Sequence, residues 1–432
     1  MHLPRRISGD ARRRAVPAFD AAAAGGGNRP QRARSQGHGR RRSGPDDALE
    51  TSRRVDDDPE DAYFVCDEGK FINWDGVEWT SADAEYGLDL NRNFPGQWEP
   101  FEMFGMDAGS YPLSEPESRS VVDAFAEHPH IACGLTMHTY SGAVLTQPYR
   151  EDSSLDEPDI ELMELLAEQL AEGTGWDVYR SYPDFAYDED QPIVGVWADT
   201  MTTVFGVPGY TIELWDPFEY WDVDVDDALD FSFDPDLDKV REMLDKLAED
   251  DRVADWTSVD HPQLGDVEIG GLEYLRTIRN PPAEALAEEC ERAWTAVERT
   301  RRSLPSVETR LEVEPAGDRR YELQLILENT GFLPTSGISR GKALEPTPEI
   351  AASASLEGDG EVLDRTDREF DHLAGWGQLR TGPGRHPIYA RLPKTSQRDH
   401  ATWTVEGEGT VDIDWIAGRA GRGTVTVDLD DE

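Results

Sequence analysis

Three short segments hold residue types that do chemistry when a fold gathers them. The first, residues 87–95 (GLDLNRNFP), sets Asn91 and Arg92 in a turn. A guanidinium beside an amide donor can grip a carboxylate at two points. An isolated Asn-Arg pair is equally a turn-forming Asn next to a surface Arg. The second, residues 136–149 (TMHTYSGAVLTQPY), follows an apolar run with His138 and Tyr140. A histidine at the carboxyl end of a buried strand stands where α/β sheets build their sites. A lone histidine is more commonly structural. The third, residues 209–216 (GYTIELWD), puts Glu213 inside an apolar strand. A carboxylate there is costly unless paired, and its raised proton affinity suits a general base. A strand-end Glu paired with a surface cation is the plainer alternative.

The elements that must position these residues read as alternating helices and short apolar strands. Ser114, Pro116 and Glu117 predict a capping box and a helix to about Glu127. Residues 131–137 form a strand-length run ending at His138, and 156–171 carry Ile160, Met163, Leu166 and Leu170 on one helical stripe. Residues 192–205 predict a helix and 210–215 a buried strand, with further helices at 236–249 and 282–303. This alternation gives an α/β fold class whose strands are buried on both faces. Past Leu304-Pro305 the texture changes to short alternating runs (308–313, 320–328, 401–405, 423–429) between Gly, Pro and Asn turns. That pattern predicts a small all-β sandwich.

In this order the three segments together resemble the zinc carboxypeptidase family, over roughly residues 51–305. The resemblance implies a mixed central sheet with helices on both faces, a Zn2+ cofactor at one per chain, and hydrolysis of C-terminal peptide bonds. It implies a peptide or acyl amino acid substrate. Asn91 and Arg92 would anchor the substrate's terminal carboxylate, His138 would be the third zinc ligand, and Glu213 the catalytic base. Tyr140 would line the site. Tyr187, in the loop 182–191, would be the mobile tyrosine that closes over substrate. Trp197, sixteen residues before Glu213, matches a tryptophan common in the family's pocket helix.

The family's first two zinc ligands come as His-x-x-Glu upstream of the Asn-Arg pair, yet no histidine of this chain has Glu three positions later. His128 and His130 lie between a helix and a strand without the expected flanks, and the family's carbonyl-polarising cation has no counterpart. Zinc centres of this type need three protein ligands and a water. The expectation is therefore a truncated or frameshifted member with impaired activity and an exposed strand edge. The alternatives are a non-catalytic binder of peptide C-termini, a decayed gene product, or an N-acyl amino acid deacylase of the same layout.

Composition sets the remaining bounds. A net charge of −47 over 432 residues repels phosphates and anionic surfaces, so nucleic acid and membrane are excluded as partners. On a chain with 38% hydrophobic residues the acid excess predicts salt adaptation of haloarchaeal type. Residues 1–45 depart from this, with eleven arginines and two acids. Three domains follow: 1–50, a basic disordered head outside the native coding frame; 51–305, the catalytic-type domain; and 306–432, the accessory sandwich. Cys66, Cys133 and Cys290 make no CxxC pair, excluding a disulfide framework or a cysteine zinc cluster. His372, His386 and His400 are spread over the sandwich as surface residues. No run is long and apolar enough to span a membrane, and Arg5-Arg6 lacks the hydrophobic stretch of a twin-arginine signal, so a cytoplasmic location is expected.

Overall fold

The computed structural model describes residues 88–429 apart from 104–105, 186–191, 226–230, 232–235, 251, 262–264, 273–276, 345–346 and 381–396. Before residue 88 it describes four short strands, Arg5–Ile7, Val16–Pro17, Ser52–Arg53 and Tyr63–Val65. The remainder of the arginine-rich head, Cys66, Tyr187 and His386 lie outside the described residues.

Four strands form the central sheet: β1 (Gly134–Thr139), β2 (Ala143–Thr146), β3 (Asp177–Arg180) and β4 (Gly209–Leu214), in the order β1-β4-β2-β3. It is mixed: β4 runs parallel to β1 and antiparallel to β2, while β2 and β3 are parallel. Helices α1 (Pro116–Glu127), α2 (Glu157–Ala171) and α3 (Trp197–Thr203) accompany it. Tyr210 and Ile212 of β4 turn one way, into a core with Leu162, Met163, Leu166 and Leu170 of α2. The Tyr210 hydroxyl donates to the Met163 carbonyl at 2.9 Å.

The other face carries α3, and two glycines let it approach. Gly134 and Gly209 are register partners. A Cβ on Gly134 would fall 2.5 Å from Trp197 Cη2, and one on Gly209 2.2 Å from the Ala198 carbonyl oxygen. Strand side chains alternate, so the partners four residues on, His138 and Glu213, share that face at the carboxyl ends of both strands. Beyond β4 come α4 (Pro217–Tyr220), α5 (Leu237–Glu249), the hairpin β5 (Val253–His261) and β6 (Gly265–Leu272), and α6 (Leu286–Ser303), whose Ala296 joins the α2 core.

The expected 192–205 helix shortens to α3, because residues before Trp197 are tied elsewhere. Phe94 N donates to Gly195 O at 2.9 Å, Gly195 N donates to Gly96 O at 3.0 Å, and Gly195 has φ +65°. The capping box is also displaced. The N-cap of α1 is Glu115, without a side-chain cap, and Ser114 Oγ instead accepts from Asn93 Nδ2 at 2.9 Å. The 131–137 run becomes strand only from Gly134, which places His138 within β1 rather than after it.

The C-terminal part is one all-antiparallel sheet of β7 (Val307–Gly317), β8 (Arg320–Asn329), β9 (Ile350–Val362), β10 (Asp367–Phe370), β11 (Arg398–Ala417) and β12 (Arg422–Asp428). Their order is β7-β8-β11-β9-β10, with β12 also on β11. The 20-residue β11 pairs with β8 along its first half and with β12 along its second. Between these, Gly358 faces Gly409 and Gly360 faces Gly407 on β9 and β11. A side chain on any of the four would meet an opposing backbone oxygen within 2.4 Å. The sheet closes on a core containing Leu323, Leu325, Trp403, Val411 and Ile413. Arg419 joins it to the central layer, donating to the Ser336, Pro129, Ile131 and Phe205 carbonyls and to Thr347 Oγ1. Among the described residues no helix is long and apolar enough to cross a membrane.

Candidate functional site

Parallel pairing of β1 and β4 sets His138 and Glu213 side by side, with Nδ1 of His138 3.8 Å from Oε1 of Glu213. Glu213 is 8% exposed, and burial pushes its carboxyl up to about 7 against the pull of Arg279 and Arg92. Burial likewise lowers the His138 imidazole, with Arg92 adding to it, Asp89 opposing, and Arg279 adding further. Near neutral pH the pair is therefore a neutral imidazole beside a carboxyl poised to take or give a proton.

Asn91 and Arg92 sit on a single helical turn, Leu90–Arg92, started by Asp89, whose side chain accepts from Asn91 N at 2.9 Å. Asn91 Oδ1 accepts from Trp197 N at 2.9 Å, capping α3. That bond fixes the amide oxygen toward α3 and leaves Nδ2, a donor, for a ligand. Arg92 is 7% exposed, gives one bond through Nη1 to Asn91 O (2.8 Å), and has its guanidinium 5.2 Å from the Phe101 ring centre. Its Nε is buried without a partner, and the nearest carboxylate oxygen, Asp89 Oδ2, is 3.8 Å away. A buried guanidinium with an unused edge is a site for an anion.

Asn93 holds this turn. Its Nδ2 donates to Ala108 O, Tyr111 O and Ser114 Oγ, while Oδ1 accepts from Ser118 Oγ and Glu115 N. Every polar atom of the side chain is occupied, so Asn93 supports the cradle and has nothing left for a ligand. Trp197 lies in the core, edge-on to Phe125 at 5.6 Å, and reaches the site through its backbone N–H.

Tyr140 is half-buried against Phe218 (ring centres 6.5 Å apart), with the Arg279 guanidinium 5.9 Å from its ring centre. Sequence reasoning missed Arg279. The Thr139 hydroxyl donates to Arg279 O at 2.7 Å, and Trp215 Nε1 to Ile278 O at 2.9 Å. The neighbours of His138 and the residue two past Glu213 thus pin Arg279 at the carboxyl ends of β1 and β4. Nothing in the sequence around RTIRN signals this, because the contact is wholly tertiary.

Among the described residues no group of three or more His, Cys, Asp or Glu side chains could hold a metal ion. His138 and Glu213 offer one nitrogen and one carboxylate, whereas zinc takes at least three protein ligands. The described residues do not complete a zinc centre by themselves. His128 and His130 meet edge-on, ring centres 5.7 Å apart, on the exposed turn before β1.

Residues 70–222 match the family model described as zinc carboxypeptidase, and 307–428 match a domain of unknown function (DUF8731). No curated protein matches the chain. Among solved structures, thrombin activatable fibrinolysis inhibitor aligns with 21% identity and TM-score 0.27, covering 40% of this chain and 45% of that one. The bovine inhibitor in complex with tick carboxypeptidase inhibitor aligns with 20% identity and TM-score 0.27, covering 40% and 62%. A GH3 beta-glucosidase of Bifidobacterium adolescentis aligns with 8% identity and TM-score 0.15, covering 29% and 17%. In each case the chain spans less than two thirds of the relative's length. The segment containing Asn91, Arg92, His138 and Glu213 is thus similar to the zinc carboxypeptidase family over residues 70–222.

Proposed function

We propose that this chain recognises the free C-terminal carboxylate of a peptide and carries out metallocarboxypeptidase-type hydrolysis of the bond before the last residue. The observation that carries this reading is the donor set of Asn91 Nδ2 and the buried, under-bonded Arg92 beside the paired His138 and Glu213. Arg92 and Asn91 hold the carboxylate. Glu213 takes a proton from the attacking water and passes it to the leaving amine, as its position near neutrality favours. Tyr140 lines the site, and Tyr187, outside the described residues, is the candidate to close over substrate. Family resemblance makes His138 one of three zinc ligands. The described residues supply no other two, so no step is drawn through the metal.

Peptides, their C-terminal amides and N-acyl amino acids, incubated with the full chain and read by mass spectrometry, test the reading. Loss of one residue from the acid and not from the amide, abolished in Glu213→Gln, is the expected result. Equal affinity for acid and amide would sink it. Affinity for the acid without cleavage would favour a non-catalytic binder, which the lack of any His-x-x-Glu in the sequence motivates. Cleavage of N-acyl amino acids alone would indicate the deacylase.

A further inference from the structure

Arg279 is the cation of this site that the proposed reading leaves without a task. Among the described residues, Arg119, Arg340, Arg368 and Arg419 also lack a carboxylate partner, but each donates to backbone carbonyls. Most described arginines near acids use them: Arg180 pairs with Glu164, Arg252 with Asp250 and Glu284, and Arg292 with Glu219, Glu288 and Glu289. Among the described residues Arg279 has no carboxylate within salt-bridge distance; its guanidinium carbon lies 5.9 Å from the Tyr140 ring centre, and its charge acts on Glu213 and His138. Its backbone is held on both sides, by Thr139 and through Ile278 by Trp215, which anchors the residue at the strand ends. At 5.9 Å from the ring centre the guanidinium makes a loose cation–π approach and keeps its N–H donors for an acceptor.

The site therefore has two cations. Arg92 lies under the Asn91 turn with Phe101, and Arg279 lies on Tyr140 from the opposite end of the chain segment. The net charge of −47 disfavours an anionic ligand at long range, so two cations that both act on Glu213, Arg92 with Asp89 at 3.8 Å and Arg279 with no carboxylate within salt-bridge distance among the described residues, mark a local exception. A monoanionic ligand would satisfy only one of them.

We propose that Arg279 is a second anion-binding position and that the preferred ligand is a peptide ending in an acidic residue. Its main-chain carboxylate meets Arg92 and Asn91, and its side-chain carboxylate meets the edge of Arg279. This assignment rests on the carboxylate-binding reading above and adds the class of terminal residue. Glu and Gln have nearly the same shape, so the pair isolates charge from fit.

The test measures dissociation constants of the full chain for three peptides that differ at the C-terminus: Glu free acid, Gln free acid and Glu amide. Wild type is expected to bind the Glu acid roughly tenfold more tightly than the Gln acid. In Arg279→Gln that ratio should fall to about one, and in Arg279→Lys, which keeps the charge and loses the fork, it should lie between. A wild-type ratio near one, or a ratio preserved in Arg279→Gln, would overturn the assignment. If acid and amide bind alike, the carboxylate-binding reading itself fails, and the Arg279 assignment fails with it. A selective acid-over-amide signal with no Glu-over-Gln preference removes the Arg279 assignment alone.

Discussion

Replacing Glu213 by Gln should change how stability depends on pH, in a way that reports the burial of this carboxyl directly. Its folded-state proton affinity corresponds to about 7, against 4.5 for the ordinary group, and burial is the first cause. Folding therefore takes up a proton at this site between those values, and the stability it contributes is complete below about 4.5. That stability is lost as pH rises through about 7. The loss amounts to about 1.4 kcal/mol per pH unit across the window, or about 3 kcal/mol in all. Glutamine keeps the shape and cannot ionise. Urea unfolding of wild type and Glu213→Gln from pH 4.5 to 8.5, after chelation of any metal, gives the two curves. Subtracting them removes the contributions of groups remote from residue 213, while His138, 3.8 Å away, titrates together with Glu213. The wild type's advantage over the variant should decline by about 3 kcal/mol on going from pH 4.5 to 8. A difference that stays flat within 1 kcal/mol would refute the reasoning, because the ionised carboxylate would then be as well solvated as in the unfolded chain.

Other consequences follow from single contacts. Arg92→Lys keeps a charge but loses the Nε edge and the fork, so affinity for a peptide free acid should drop roughly tenfold to hundredfold in calorimetric titration. Gly195→Ala meets the Arg92 carbonyl oxygen at 2.3 Å at φ +65°, so it should cost about 1–3 kcal/mol in urea unfolding and weaken peptide binding too. Arg419→Met leaves several buried carbonyls without their donor where the two layers meet, and a loss on the order of 3 kcal/mol is expected. The thermal midpoint should rise with added NaCl, since screening relieves the repulsion of a chain at −47. A midpoint that falls or stays constant up to molar salt would contradict that.

The sequence alone carried what depends on near neighbours and on period. The apolar run around Glu213 read as a buried strand, and the structure then turns Tyr210 and Ile212 to one side and Glu213 to the other. The stripe of Ile160, Met163, Leu166 and Leu170 gave α2 to within a residue, because a 3.6-residue period and one apolar face identify a core helix. The Asn-Arg pair was legible as a donor turn for similar reasons. What the sequence did not carry was decided by contacts between distant residues. Ser114 had the signature of a helix cap, but Asn93 claimed its hydroxyl. Residues 192–196 had helical texture, but hydrogen bonds between Gly195 and the 94–96 turn held them out of the helix, so the helix began where Asn91 could cap it. The meeting of His138 with Glu213 depends on the register of a parallel pair, and the presence of Arg279 depends on two hydrogen bonds from the ends of that same pair. Register and long-range docking are settled by how whole faces pack, which no local stretch of residues encodes.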